Sequence, residues 1–217
     1  MQKTITALTI QKKNPKRVNI ILDGEFSFGM YVINAGHLKV GQTISLEMID
    51  SLKKVDQIEN CFQKALKYIS YKPRTKSEVV KKLNEMHVEE DIISNVMYTL
   101  VEKGYVNDFQ YAKNWVENRS IYKPRSKKLI TWELKNKQIS EEIISEVTGE
   151  MIPEEKLAIL AAEKYARRLS GYEKEVFFRR LSGYLIRRGF SYSTVNATVQ
   201  TIWNNLRQQT YENSNGK

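Results

Sequence analysis

The stretch "YKPRTKSEVVKKLNEMHVEEDIISNV" occupies residues 71–96, and "YKPRSKKLITWELKNKQISEEIISEV" occupies residues 122–147. A single offset of 51 residues carries Tyr71 to Tyr122, Lys76 to Lys127, Leu83 to Leu134, Glu90 to Glu141 and Ile92-Ile93-Ser94 to Ile143-Ile144-Ser145. Twice that offset, 102 residues, carries Val79 to Leu181, Leu83 to Leu185, Val88 to Phe190, Ile93 to Val195 and Leu100 to Ile202. The tetrapeptide is gone from this third, diverged copy, but the apolar spacing persists, and that spacing is what a buried helix face requires.

The period is long for a helical hairpin, so each unit is expected to hold three helices joined by short linkers. In the first unit these are predicted at residues 61–70, 75–86 and 89–103, in the second at 108–122, 126–138 and 140–147, and in the third at 154–170, 174–188 and 191–206. Thr75 followed by Glu78 is a capping-box pair, which satisfies orphan N–H groups at a helix start, and Gly104 is a good C-terminal stop. Gly149 and Pro153 bracket the seam between the second and third units.

The first residues follow another rule. Thr4 to Gln11 alternates partly as a strand does, "RVNIIL" at 17–22 and "EFSFGM" at 25–30 are short β-type runs, and Asp23-Gly24 between them is a hairpin signal. Asn14-Pro15 marks the preceding turn, and helical spacing takes over from about Leu46. The expected fold is mainly α: about three tandem three-helix repeats in an elongated array, preceded by a small β-rich N-terminal segment. The expected divisions are 1–56, 57–105, 106–150 and 151–210, with a polar tail at 211–217.

Among 217 residues, 35 Lys and Arg stand against 25 Asp and Glu, a net charge of +10 that favours an anionic partner, most commonly nucleic acid. A membrane surface is the competing anion, but the chain has neither an apolar run of spanning length nor a signal-like N-terminus, so a cytoplasmic protein is expected. The single cysteine, Cys61, lies among Ile58, Phe62 and Leu66 and reads as a buried small hydrophobe rather than a reactive thiol.

Four stretches carry a family resemblance: "ALKYISYKPRTKSEVVKKL" at 65–83, "GYVNDFQYAKNWVENR" at 104–119, "KPRSKKLITWELKNKQIS" at 123–140 and "RRLSGYLIRRGFSYSTVNATV" at 179–199. Together they resemble the RecX regulators of the bacterial RecA recombinase over roughly the last 150 residues. Gly104, Val106 and Asp108 match the segment that opens a new unit in that family, while His87 and Gln138 stand where it often has glycine. The β-type segment is similar to the extension that some members carry. The resemblance implies a non-enzymatic modulator, without a cofactor, that binds along the RecA filament on single-stranded DNA. Its expected partners are that filament and single-stranded DNA, with duplex DNA bound weakly, and the chain itself is expected to be a monomer. Regulation of recombination, strand exchange and SOS-type repair follows from the same resemblance.

Two groups of basic residues are candidates for contact with RecA or DNA. On a helix over 174–188, Phe177, Phe178, Leu181 and Leu185 share one side, and Arg179, Arg180, Gly183 and Arg187 the other. A mid-helix glycine costs about 1 kcal/mol relative to alanine, so close approach of another backbone or a phosphate would compensate it. The same pattern also fits a solvated arginine face with a glycine packed on a neighbouring helix. The second group is Lys72 and Arg74, with Lys123, Arg125, Lys127 and Lys128, in the loop and first turn before a helix, where outward N–H groups attract anions. Pro73 and Pro124 setting the helix entry is the plainer reading of these corners. Tyr71 and Tyr122 are placed either to stack on bases or to pack on the core.

Enzymatic readings find little to build on. "GHLKVGQT" at 36–43 nearly spells a phosphate-binding loop, but Gln42 replaces the lysine that neutralises phosphate, and a turn before a helix explains it better. Glu89-Glu90-Asp91 and Glu141-Glu142 open helices, where carboxylates suit the dipole. His37 and His87 have no spaced partner for zinc or for a triad. The alternative function is a helix-turn-helix-like, DNA-binding transcription regulator, which requires exposed Asn, Gln or Arg near a helix N-terminus.

Overall fold

Asp23 and Gly24 both take positive φ, 51° and 88°, the pair of left-handed residues that a tight hairpin turn needs. They join strands β2 (Asn14–Leu22) and β3 (Glu25–Tyr31). A computed structural model describes the backbone of residues 2–215 and the side chains of residues 2–208. Strand β1 (Gln2–Gln11) pairs antiparallel with β2, and because Gln11 pairs with Asn14 the turn closes on Lys12 and Lys13, not on Asn14-Pro15 as expected. Pro15 enters the strand where the ladder shifts register, a place that tolerates a missing N–H.

A one-turn helix α1 (Val32–Ala35) and a third pairing complete the sheet: β4 (Thr43–Ser45) lies against β1, giving the order β3-β2-β1-β4. Three residues are too few to show alternation, so β4 is invisible in the sequence. The phosphate-loop-like stretch leads into this strand rather than directly into a helix. Gly41, at φ 87°, donates its N–H to the Ile5 carbonyl at 2.8 Å, and the Gln42 carbonyl accepts from Ile5 N–H at 2.9 Å.

Ser45 caps helix α2 (Leu46–Ser70) by accepting from Met48 N–H at 3.2 Å. With no Gly or Pro between 46 and 70, the helix runs unbroken through two cores. Ile49 and Leu52 pack with Ile5, Ile20, Leu22 and Met30 of the sheet, whereas Cys61 and Ala65 pack with Val79, Leu83, Val96 and Leu100 of the first repeat. The division expected at residue 56 therefore falls inside a helix, at a residue that fastens the sheet to it. Arg17 Nη2 donates to Asp56 Oδ2 at 2.6 Å, and Tyr31 N–H donates to Asp56 Oδ1 at 3.1 Å.

The rest of the first repeat is α3 (Lys76–Asn84) and α4 (Glu90–Glu102). Thr75 and Glu78 form both bonds of the capping box, and Gly104 takes φ 72° at the stop after α4. The second repeat is α5 (Asp108–Ile121), α6 (Lys127–Asn136) and α7 (Glu141–Gly149). The third is α8 (Glu154–Ala166), α9 (Lys174–Ile186) and α10 (Tyr192–Asn215). Of the expected tail, residues 211–215 continue α10, and 216–217 lie outside the described residues. The chain divides into two compact units after Val106.

Backbone geometry bears out the period independently of side-chain identity. His87 at φ 55°, Gln138 at φ 56° and Gly189 at φ 84° all take the left-handed conformation, and they are spaced by the 51-residue offset. Each stops the middle helix of its repeat. Only the third uses glycine, the residue that adopts this conformation without steric cost.

Candidate functional site

In the second repeat, α5 and α6 meet across one buried carboxylate. Glu133, 8% exposed, stands on α6 opposite Trp115 and Arg119, which are one turn apart on α5. Trp115 Nε1–H donates to Glu133 Oε2 at 2.7 Å, and Arg119 Nε–H donates to the same oxygen at 3.0 Å. The Arg119 guanidinium lies over the Trp115 ring, 4.4 Å from its centroid. Arg125, from the loop before α6, pairs with the other oxygen, Oε1. Burial, then the neighbouring Arg119 and Arg188 cations, pull the Arg125 guanidinium below its ordinary value; it remains charged at neutral pH.

The loop itself is stapled to the end of α9. Ser126 N–H donates to the Arg188 carbonyl at 3.0 Å, and Arg188 Nη1 donates to the Pro124 carbonyl at 3.0 Å. A Cβ on Gly189 would meet Ser126 Oγ at 2.5 Å and Leu129 Cβ at 2.7 Å, so the approach requires glycine for space as well as for its φ. Pro124 is buried and braces this corner.

The first repeat builds the same corner from other residues. The 51-residue offset maps Arg125 to Arg74, Arg119 to Tyr68, Trp115 to Lys64 and Glu133 to Lys82. The flanking helix ends coincide under it, α2 and α5 ending at Ser70 and Ile121, α3 and α6 beginning at Lys76 and Lys127. Arg74 is half-buried with its guanidinium 4.1 Å from the Tyr68 ring centroid. Its Nε is buried and meets no hydrogen-bond acceptor among the described residues. Lys82 pairs with Glu85 at 3.1 Å on its own helix.

Of the nine basic residues expected to meet a partner, Lys72, Lys123, Lys127 and Lys128 project into solvent, while Arg74 and Arg125 turn inward. Tyr71 and Tyr122, 74% and 67% exposed, do not pack on the core. On α9, Phe177, Leu181 and Leu185 are buried, Phe178 is half-buried against Trp203, and Arg179, Arg180 and Arg187 are exposed on the other side. Arg180 lies over Tyr172, 4.4 Å from its centroid, with Nη1 3.3 Å from the phenol oxygen. The nearest atom to a Cβ built on Gly183 is Arg187 Nη1 at 3.4 Å, so the glycine borders an arginine of its own helix rather than a neighbouring helix.

Sequence reasoning missed Glu133, Trp115, Arg119 and Arg188. The available signal was the broken symmetry at Lys82 and Glu133, an exchange of sign between repeats that otherwise match closely. The acidic residues at helix starts behave as surface charges: Asp91 pairs with Lys54 at 2.6 Å, and that ammonium holds its carboxyl below the usual range. Cys61 is buried, and burial pushes its thiol up, against a smaller opposing influence from Lys64. No helix among the described residues is long and apolar enough to cross a membrane.

Four family models match the chain in order: the regulatory protein RecX N-terminal domain at 3–45, and the first, second and third RecX three-helix domains at 61–97, 107–147 and 153–199. A regulatory protein RecX from Leuconostoc citreum is 30% identical over 207 residues, covering 92% of this chain and 76% of its own length. Another from Clostridium perfringens is 28% identical, covering 93% of this chain and 97% of its own. A crystal structure of regulatory protein RecX superposes with a TM-score of 0.71 at 26% identity, covering 90% of this chain and 98% of that one. A crystal structure of RecX from Lactobacillus salivarius gives 0.57 at 28% identity, covering 68% and 97%.

Proposed function

The chain belongs to the RecX family of regulatory proteins, and from that premise we propose that it is a non-enzymatic modulator of RecA, binding the RecA filament on single-stranded DNA and so regulating recombination and repair. The observation that carries the reading is family membership across all four domains. It is supported by a net charge of +10 and by exposed Arg179, Arg180 and Arg187 on a helix whose other side buries Phe177, Leu181 and Leu185.

Filament binding is favoured over sequence-specific duplex recognition by the third helix of each of the first two repeats. Glu90 and Asp91 open α4, and Glu141 and Glu142 open α7, where a recognition helix would meet base edges and DNA phosphates would repel carboxylates.

The test compares retention on RecA-coated single strands, bare single strands and bare duplex at physiological salt, together with RecA's DNA-dependent ATP turnover with and without the protein. Preferred binding to the coated strand and altered turnover are expected. Replacing Arg179, Arg180 and Arg187 with alanine should weaken binding, and where all three meet DNA phosphates the logarithmic salt slope should flatten by roughly 0.7 per lost contact. Unchanged ATP turnover and no preference for the coated strand would refute the reading.

A further inference from the structure

The two matching corners differ in one decisive respect. In the second repeat the guanidinium of Arg125 meets a carboxylate from its own chain, Glu133. In the first repeat, Arg74 holds the equivalent place, and under the 51-residue offset the residue equivalent to Glu133 is Lys82, a reversal of sign whose ammonium pairs with Glu85. A buried guanidinium N–H without an acceptor is unfavourable, and stacking on Tyr68 orients the Arg74 guanidinium without satisfying its Nε–H.

We infer that the first repeat's corner is a carboxylate-binding site, in which Arg74, with exposed Lys72 two residues before it in the loop, grips an acidic side chain of a protein partner as Arg125 grips Glu133 internally. This deepens the reading above by naming what one basic corner holds, and it rests on that reading only in assigning the acidic group to a partner protein.

A carboxylate is favoured over a phosphodiester for two reasons. In the second repeat the arginine shared by both corners meets a carboxylate, Arg125 on Glu133 Oε1, while the Trp115 and Arg119 donors to Oε2 are replaced by Lys64 and Tyr68 in the first. The Nε of Arg74 also lies beneath the surface, so a group that meets it must enter a recess, which suits a carboxylate at the end of a flexible side chain better than a phosphate flanked by two sugars. Arginine presents to such a planar acid the paired donors that a lysine lacks.

The full-length protein labelled with 15N provides a direct test through the Arg74 Nε–H resonance, assigned by its loss in Arg74→Lys. Titration with hexaglutamate should shift that resonance, and titration with hexathymidylate should leave it in place. Lys82→Glu supplies the missing acid from within, so this variant should melt higher than the charge-matched control Lys81→Glu and bind hexaglutamate at least about tenfold more weakly than that control. A shift with hexathymidylate but not hexaglutamate would make the corner a phosphate site and overturn the inference. So would no shift with either, or equal behaviour of the two variants. If hexaglutamate binds at Arg74 while the protein ignores RecA-coated DNA, the carboxylate site stands and the functional reading above falls.

Discussion

Replacing Glu133 with glutamine should cost the second unit about 3 kcal/mol of stability. The carboxylate accepts from Trp115 Nε1 and Arg119 Nε at 2.7 and 3.0 Å and pairs with Arg125. Glutamine keeps one carbonyl acceptor, but its N–H2 group then faces either Arg125 on one side or Trp115 and Arg119 on the other, and both guanidinium groups lose their countercharge. Breaking a buried pair by removing one partner costs about 3–5 kcal/mol. The lower end applies because the Arg119 and Arg125 side chains keep 17% and 31% of their surface in water, which partly relieves them. For a unit of this size that loss lowers the melting temperature by roughly 10 °C. Circular dichroism in urea and on heating measures it. A glutamine variant within about 1 kcal/mol of the parent would show that solvent, not Glu133, satisfies these arginines.

Gly189→Ala should destabilise by about 3 kcal/mol, since the left-handed backbone costs an L residue about 1–2 kcal/mol and the new Cβ collides with Ser126 and Leu129. Gly183→Ala, whose Cβ meets only the flexible end of Arg187, should instead stabilise by up to about 1 kcal/mol, and the pair is read from denaturant midpoints. The Lys54–Asp91 pair sets a pH dependence: Asp91 is held below its ordinary value, so its contribution is fully present above the usual carboxylate range and is lost as pH falls through the depressed value. The melting-temperature gap between the parent and Asp91→Asn should therefore be largest near neutrality and close as pH drops below about 4.

Much of the architecture was legible because it depends on local chemistry. A hairpin needs two residues tolerant of positive φ, and Asp23-Gly24 announces them. A helix start needs an acceptor for its first N–H groups, and Thr75 with Glu78 supplies one three residues from the other. The repeat was legible too, because each unit must bury the same helical face, so that spacing persists even where YKPR has been lost. The exposed side of α9 followed from the same periodicity.

Tertiary structure decided what depends on residues distant in sequence. Strand β4 exists because Gln2–Thr4 of β1 offers an edge to it, not because three residues prefer to be extended. Helix α2 serves two cores because nothing interrupts it, and only packing shows where one core ends and the next begins. The basic corners looked alike as sequence, whereas in the fold Arg125 faces Glu133, about two turns of helix beyond its own loop, and the residue equivalent to Glu133 in the first repeat, Lys82, pairs with Glu85. The sequence by itself determined the repeats, their caps and their apolar faces, since neighbouring residues satisfy those requirements. Which charges pair inside the molecule and which face solvent was settled only when separate helices were brought within hydrogen-bonding distance.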